Sequence, residues 1–354
     1  MSIFFAILLF SILIFVHELG HFVAAKLSGV QVNEFSIFMG PALVKWRRGE
    51  TQYTIRCIPI GGYCAMEGED EDTNSPRSFQ KAAWWKRLII LVAGSAMNLL
   101  LGVLLMAIVY MPTKQIIQPT IESFEAYSTV NGESGLQIGD RILKVDGEAI
   151  YLKTDFSMIL YLNPGDIHDL VVERNGDKVY LNDFKMEAHK TVDEAGNELM
   201  LYGINFYQDN SLSFGDRIAY TWNNCLDTVR NVRLSLQMLL TGRAGLKDMT
   251  GPVGIVKIMS DTADQADKTS EAIRSMLYFG AFLAINLGIM NMLPIPALDG
   301  GRVVGLLFVT VIEAVTRKKI DPKYEGYIHG VGMILLLALM GVILFKDVFT
   351  IFKG

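Results

Sequence analysis

Residues 3–30 read IFFAILLFSILIFVHELGHFVAAKLSGV, and this stretch decides how the chain is built. Only His17, Glu18, His21 and Lys26 interrupt its apolar character, and it exceeds the roughly 20 residues that cross a bilayer at about 1.5 Å each. No basic residue precedes it, so we expect a permanent membrane helix and not a cleaved signal peptide.

Within this helix, His17 and His21 are four residues apart and share one face, where both imidazoles can bind one metal ion. Glu18 stands beside them and is placed to act as the general base on a water molecule. A charged face of a soluble helix could carry the same pattern. Burying two histidines and a carboxylate in a membrane helix is costly, however, so the cluster predicts a catalytic zinc site.

The overall composition also indicates a membrane protein. Of the 354 residues, 51% are hydrophobic and 19% are charged, and the mean hydropathy is +0.32, which predicts membrane spans joined to a water-exposed domain. The net charge of -5 argues against a nucleic-acid partner. Three cysteines form no even set, so no disulfide is expected.

Three further stretches are apolar enough to span the lipid bilayer, at residues 88–111, 276–298 and 327–345. The run 303–312 is too short to cross and predicts a partly buried or interfacial helix. Basic residues concentrate in the loops after the first and third spans. Because cytoplasmic loops carry the excess of lysine and arginine, we expect both termini, and the long segment 112–272, to lie outside the cytoplasm.

Asp299 is the candidate for a third zinc ligand, since a catalytic zinc usually has three protein ligands and one open position. It lies in NMLPIPALDGG, residues 291–301. His17 lies about 14 residues, or roughly 21 Å, into its span, and Asp299 lies deep in another span that enters from the same side. We therefore expect one zinc ion per chain, bound in the cytoplasmic half of the membrane. The other histidines are poorer candidates: His168, His189 and His329.

The segment between the second and third spans contains a small mixed domain. Short β-rich runs at 141–146 and 169–173 alternate with turn signals such as Asp146-Gly147 and Asn175-Gly176. From Phe214 to Leu240, apolar residues at three- and four-residue steps predict an amphipathic helix that lies on the membrane or packs on the domain. The predicted divisions are a first catalytic half (1–111), an outer domain with its extension (112–212), a helical linker (213–272) and a second catalytic half (273–354).

These features resemble the site-2 protease family, and within it the bacterial group named for the regulator of sigma-E protease. His17–His21 and Leu298-Asp299-Gly300 carry the resemblance, which covers nearly the whole chain. Three further motifs match in order: Gly61-Gly62-Tyr63, Ala93-Gly94-Ser95-Ala96-Met97-Asn98 and Gly251-Pro252-Val253-Gly254-Ile255. The resemblance implies four transmembrane helices with a membrane-associated β-element between the first two, and a single extracytoplasmic α/β PDZ domain.

The same resemblance implies a zinc metalloendopeptidase of the bacterial cytoplasmic membrane. Its expected substrates are single-span membrane proteins, such as anti-sigma factors or signal-peptide remnants, with an upstream site-1 protease acting on the same substrates. One departure lies in the PDZ segment, where Val130-Asn131-Gly132 replaces the Pro-Ala that often precedes the family's Gly-Leu-x-x-Gly-Asp run. That change argues against conventional capture of a peptide C-terminus.

Substrate-binding residues are expected at two places. A β-edge near Gly61-Gly62-Tyr63 could pair with an unwound substrate segment, although the glycines could instead form only a turn. Asn291, an amide in an apolar span, could hold the substrate backbone or a developing negative charge, with Pro294 beside it. Hydrogen bonding between helices is the alternative for Asn291 and the favoured role for Asn98.

Two other functions compete with proteolysis. A non-catalytic membrane scaffold could use the PDZ domain to bind peptides, but a degenerate protein would tend to lose Glu18 first, and Glu18 is present. A zinc transporter would need ionisable residues along several spans, and the second span has none. The residues therefore favour a zinc-dependent intramembrane endopeptidase.

Overall fold

The computed structural model describes residues 2–69, 73–132, 135–192, 198–245, 249–264, 268–318 and 323–353. The chain forms two compact units, one of Met1–Met106 with Asn231–Gly354 and one of Ala107–Arg230. Among the described residues, four helices are long and apolar enough to cross a membrane: Phe5–Ser28, Trp84–Tyr110, Thr269–Met290 and Gly326–Asp347. The four predicted spans are therefore present as helices.

The helices and strands of the described residues follow one another along the chain. In order they are α1 (Ser2–Ser28), β1 (Val32–Arg48), β2 (Thr51–Met66), α2 (Trp84–Tyr110), β3 (Ile116–Phe124), β4 (Arg141–Val145), β5 (Glu148–Ala149), α3 (Lys153–Leu162), β6 (Ile167–Arg174), β7 (Asp177–Lys185), β8 (His189–Val192), β9 (Glu198–Leu201), β10 (Ile204–Asp209), α4 (Phe214–Leu240), α5 (Pro252–Asp264), α6 (Thr269–Met290), α7 (Asp299–Thr316) and α8 (Lys323–Lys353).

The third span ends earlier than its apolar run suggests. Residues 276–298 were predicted to span, but α6 ends at Met290 and a new helix, α7, begins at Asp299. Pro294 and Pro296 lack backbone donors and disfavour a helical conformation in the residue before each of them, so the chain leaves the helix here. Asp299 is therefore the first residue of a helix that contains the predicted short run 303–312.

Helices α1 and α2 approach closely through small residues, and so do α2 and α6. A Cβ atom at Gly20 of α1 would lie 2.4 Å from the carbonyl oxygen of Ala93 on α2. A Cβ atom at Gly102 of α2 would lie 2.5 Å from Cγ1 of Ile285 on α6. Because lipid tails are as apolar as the side chains, such close backbone contact is a main source of attraction between membrane helices.

Strands β1 and β2 form a sheet of their own in the first unit. The first half of β1, residues 34–37, pairs with residues 62–65 of β2 and also with residues 52–55. Within the described chain, all strand partners of residues 62–66 lie in β1. The end of β2 is therefore an edge strand whose outer backbone groups face no other strand of the described chain.

The second unit is built around a sheet with strand order β10-β3-β4-β6-β7, with β5 beside β4. Two of the predicted turns form tight hairpin connections: Asp146-Gly147 and Asn175-Gly176 have positive φ at both residues. The predicted helix from Phe214 to Leu240 is confirmed as α4. The apolar faces of the sheet and α3 form one buried core.

Candidate metal centre

Three ligating side chains converge in the first unit although they are distant in sequence. Nε2 of His17 and Nε2 of His21 are 3.3 Å apart, and Oδ2 of Asp299 lies 3.2 and 3.3 Å from them. Zinc binds nitrogen and oxygen ligands at about 2.0–2.2 Å in tetrahedral geometry, which places ligand atoms roughly 3.3–3.5 Å apart. The three side chains therefore fit a zinc ion with one position open.

The surroundings of Asp299 also indicate a metal ion at this position. Its Oδ2 atom is buried and has no hydrogen-bond donor among the described residues. A buried carboxylate oxygen without a partner is costly, because it has lost its hydration without compensation. A cation between the two imidazoles and the carboxylate would remove that cost.

Hydrogen bonds orient both imidazoles toward the centre. Nδ1–H of His21 donates to the carbonyl oxygen of Ile90 on α2, 2.8 Å away, which leaves Nε2 as the atom that can bind metal. Nδ1 of His17 lies 3.3 Å from the side-chain amide of Asn98, also on α2. Turning that amide by 180° brings Oδ1, which has no other partner among the described residues, onto Nδ1–H.

Gly94 makes room for the histidines where α1 meets α2. A Cβ atom at Gly94 would lie 2.3 Å from Nε2 of His21 and 2.8 Å from Cε1 of His17, well inside any permitted contact. The Ala93-Gly94 pair thus lets α2 pack directly on the face of α1 that carries the two imidazoles.

The loop between α6 and α7 places Asp299. The backbone N–H of Gly300 donates to the carbonyl oxygen of Asn291 at 2.7 Å, which closes the loop. A Cβ atom at Gly300 would lie 2.2 Å from the carbonyl oxygen of Met292, so only glycine fits after the aspartate. The glycine of Leu298-Asp299-Gly300 therefore has a local steric reason in this chain.

A cavity of about 680 Å³ opens beside the three ligating groups and is lined by Glu18 as well. A Cβ atom at Gly62 would lie 3.2 Å from Cγ of Glu18, so the glutamate packs directly against the edge strand of β2. At another part of the wall, Nη1 of Arg302 donates to Oε1 of Glu69. The cavity thus places a carboxylate, the three ligating groups and an unpaired strand edge around one space.

Three of the expected substrate-binding residues lie at this centre. Gly62 and Tyr63 line the cavity, and the hydroxyl of Tyr63 accepts a hydrogen bond of 2.6 Å from Arg56. The side-chain amide nitrogen of Asn291 lies 3.4 Å from Nε2 of His17. These positions put a backbone edge and an amide donor next to the candidate metal position.

Two other expected residues are placed differently. Gly61 has a φ of +73° and packs against the side chain of Met39, and Pro294 is exposed in the α6–α7 loop. Neither is part of the cavity lining within the described chain. Gly61 instead provides the left-handed backbone conformation at which β2 begins its edge segment.

Asn98 and the pair Arg302–Glu69 are the contacts that sequence reasoning did not find. A lone amide in a charge-free span signals a buried polar contact, but it does not identify the partner as a metal-ligating histidine. Arg302 follows Asp299 by three residues and so lies near it on α7, and this spacing could have indicated that Arg302 belongs to the site. Glu69 offered no comparable pattern.

Replacing Asn98 with leucine is expected to weaken zinc binding about 10- to 100-fold, the usual cost of losing the partner that orients a ligating histidine. Leucine has the same branching at Cγ and suits an apolar span, but it offers no acceptor to Nδ1–H. Zinc affinity measured by chelator competition checks the prediction, with Asn98→Asp as the control because its carboxylate still accepts from Nδ1–H. Unchanged zinc affinity in Asn98→Leu would show that the amide serves helix packing alone.

Comparison with known proteins gives consistent matches along nearly the whole chain. Residues 5–339 match the sequence profile of Peptidase family M50. The chain is 37% identical over 343 residues to a candidate zinc metalloprotease of Clostridium acetobutylicum, covering 97% of this chain and 96% of that protein. It is 30% identical to the zinc metalloprotease RasP of Oceanobacillus iheyensis and 28% identical to the regulator of sigma-W protease RasP of Bacillus subtilis, each alignment covering 98% of both chains.

Proposed function

This chain belongs to peptidase family M50, the site-2 protease family, and is a zinc metalloprotease; from that premise we propose that it cleaves single-span membrane proteins within or beside their membrane-spanning segments. One observation carries the proposal: His17 and His21 on the candidate span α1 meet Asp299, the first residue of α7 after the candidate span α6, next to Glu18. The proposed ligand set binds one zinc ion per chain.

Each proposed residue has a defined part in hydrolysis. Bound zinc supplies Lewis acidity, which lowers the pKa of water and polarises a carbonyl group. Glu18 takes the proton from the attacking water and passes it to the leaving amine. The amide of Asn291 donates to the oxygen on which negative charge develops.

The edge of β2 is the proposed site of substrate presentation. A helical transmembrane segment satisfies its own backbone hydrogen bonds and hides its amides, so it must unwind before it can be cut. Along residues 62–65, beside Glu18, the outer edge of β2 pairs with no other strand of the described chain, so an extended segment can add there as a strand. The free edge supports this role over a purely structural turn at Gly61-Gly62.

The competing functions receive less support. Membership of a protease family and the protease names of the relatives disfavour a non-catalytic scaffold. A transporter is disfavoured because the polar groups converge on one centre instead of following a path along α2.

The proposed location is the bacterial cytoplasmic membrane, with both termini outside the cytoplasm and the metal centre in its cytoplasmic half. The distribution of lysine and arginine between the loops supports this orientation. The lipid bilayer is then a constant partner of the four spans.

The name of the Bacillus subtilis relative, regulator of sigma-W protease, supports anti-sigma factors as one substrate class. Signal-peptide remnants are the second class, since they also are single apolar spans. A site-1 protease that first removes the outer part of the substrate is the proposed upstream partner.

Comparative membrane proteomics tests the proposal. Cells that carry Glu18→Gln in place of the wild-type chain are expected to accumulate intact single-span proteins or short remnants, and to lose the matching fragments. Glutamine preserves the size of the side chain, so the variant protein should fold as the wild type does, and differences between the two membranes report the loss of cleavage. If no single-span protein changes between the two membranes, the proposed substrate class is wrong.

The sheet domain within residues 112–212 is, in our proposal, a single extracytoplasmic PDZ domain that excludes substrates with bulky outer parts. The altered Val130-Asn131-Gly132 segment disfavours peptide capture as its main role. The positive-inside distribution supports its placement on the side of the membrane away from the metal centre. A size filter also explains why a site-1 protease must act first.

Replacing residues 116–209 with a short Gly-Ser linker is expected to leave zinc bound and to allow cleavage of full-length substrates that the intact enzyme refuses. The replacement is sterically mild, because Ile116 and Asp209 are paired neighbours in strands β3 and β10. Arg230, which loses Asp155, keeps Asp227 as its ionic partner.

The test compares a full-length single-span substrate with one lacking its outer domain, each with the intact and the shortened enzyme. Only the full-length substrate should gain from the deletion. An equal loss of cleavage for both substrates would exclude the filter and assign the domain to docking or folding.

A further inference from the structure

The loop that leads into Asp299 is held by helix α8, which carries none of the proposed ligands. The backbone N–H of Ala297 donates to Nδ1 of His329 on α8 at 3.1 Å. Because the amide can only donate, Nδ1 of His329 must be unprotonated and must act as the acceptor. This hydrogen bond connects α8 to a residue only two positions before Asp299.

Ala297 needs such support because its backbone is unfavourable. Its φ is +83°, in a region that residues with a side chain rarely adopt. Backbone strain of this kind persists only where the surrounding structure enforces it, and it is concentrated at functional sites. If Nδ1 were removed, the N–H group of Ala297 would lose this partner, and the loop would have less reason to keep this conformation.

Gly332 provides the second contact, one helical turn after His329 on the same face of α8. A Cβ atom at Gly332 would lie 2.4 Å from Cβ of Pro296 and 2.8 Å from its carbonyl carbon and oxygen. The absence of a side chain therefore allows α8 to press directly on the loop. The next residue, Met333, lines the same cavity as Asp299, which places this face of α8 at the metal centre.

We propose that His329 and Gly332 form a positioning surface that holds the Pro296-Ala297 backbone in its strained conformation and thereby sets Asp299 as a zinc ligand. The inference rests on the proposed ligand set of His17, His21 and Asp299. The two residues touch neither metal nor substrate and act through the backbone alone. Loosening the loop lowers the affinity for zinc and the turnover number, while the Michaelis constant for substrate stays near its wild-type value.

The glycines of α8 supply a matched pair of variants. Gly332→Ala adds a methyl group against Pro296, whereas a Cβ atom at Gly330, two residues earlier on the same helix, meets open space. Gly332→Ala is expected to lower zinc affinity about 10- to 100-fold, the range typical of residues that orient a ligand, and Gly330→Ala is expected to bind zinc as the wild type does.

His329 is tested by loss and rescue. His329→Phe removes the acceptor and should lower zinc affinity by a similar factor, while His329→Asn, whose amide oxygen can take the place of Nδ1, should restore most of it. The measurements are zinc affinity by chelator competition in the full-length purified protein, and separate values of kcat and KM on a single-span substrate. A fall in kcat with an unchanged KM, reversed in His329→Asn, supports a positioning role.

Asp299→Ala in the same series separates this inference from the proposed function. If Gly332→Ala and His329→Phe bind zinc as tightly as the wild type while Asp299→Ala does not, the positioning surface is excluded and the ligand set stands. If Asp299→Ala itself retains full zinc affinity, the ligand set is wrong and the inference falls with it. Equal losses of zinc affinity in Gly330→Ala and Gly332→Ala would also overturn the inference, since they would show that α8 is sensitive to substitution at any position.

Discussion

Replacing Glu18 with glutamine is expected to abolish peptide cleavage while zinc remains bound. Glutamine has the same size as glutamate but cannot accept the proton of the attacking water, and the three proposed ligands are untouched. Loss of a general acid–base group typically lowers turnover about 10²- to 10⁴-fold. Turnover of a purified single-span substrate in detergent or vesicles, together with elemental analysis of zinc, measures both parts of the prediction.

Glu67 offers a matched control in the same cavity. It lines the cavity wall and accepts a hydrogen bond from Asn33, and glutamine can still accept there. Glu67→Gln should therefore change turnover by less than a few-fold, while Glu18→Gln removes it. Near-normal turnover in Glu18→Gln would mean that another group takes the proton from water, and the proposed mechanism would be wrong.

The sequence predicts the elements that depend on local periodicity. Four apolar runs of sufficient length predicted four helices, and the spacing of apolar residues predicted α4 with the bounds that the structure has. The relation of His17 to His21 is also local, because residues four apart share a helix face. Asp299 stood out as the candidate third ligand in its motif, and a depth estimated from span direction and length supported that choice.

Contacts between distant segments are harder to predict. Nothing around Asn98 indicates that its partner is His17, and nothing around Gly94 indicates that a methyl group there would meet the imidazole of His21. The sequence marks such residues as unusual for a span but leaves their partners open. The register at which α2 packs on α1 decides both contacts, and no short-range pattern encodes it.

His329 illustrates the same limit in a different form. The sequence places His329 at the start of the fourth span and marks it only as a poorer candidate for a zinc ligand. Its contact with Ala297 depends on the break of α6 at Met290, which makes room for a loop between the third span and α7. The prolines predicted a break, but the conformation of the loop follows only from its packing on α8.

Replacing Asp299 with alanine is expected to reduce bound zinc from about one ion per chain to a small fraction and to remove all activity. Two imidazoles alone leave the ion with one ligand fewer than catalytic zinc sites usually have. His21→Ala should have the same effect, because it also leaves two ligands. Asp299→Asn should retain part of the zinc, since an amide oxygen is a weaker ligand than a carboxylate.

Elemental analysis of the purified variants measures the zinc content per chain, with His189→Ala as the control. His189 is an exposed histidine of the second unit that contacts the ring of Tyr127, so its loss should leave the zinc content unchanged. The expected order of zinc content is wild type, Asp299→Asn, then Asp299→Ala. This order follows from the charge and the donor strength of one oxygen, Oδ2, which lies 3.2 and 3.3 Å from the two imidazole nitrogens. Full zinc in Asp299→Ala would require a different third ligand and would remove Asp299 from the metal centre.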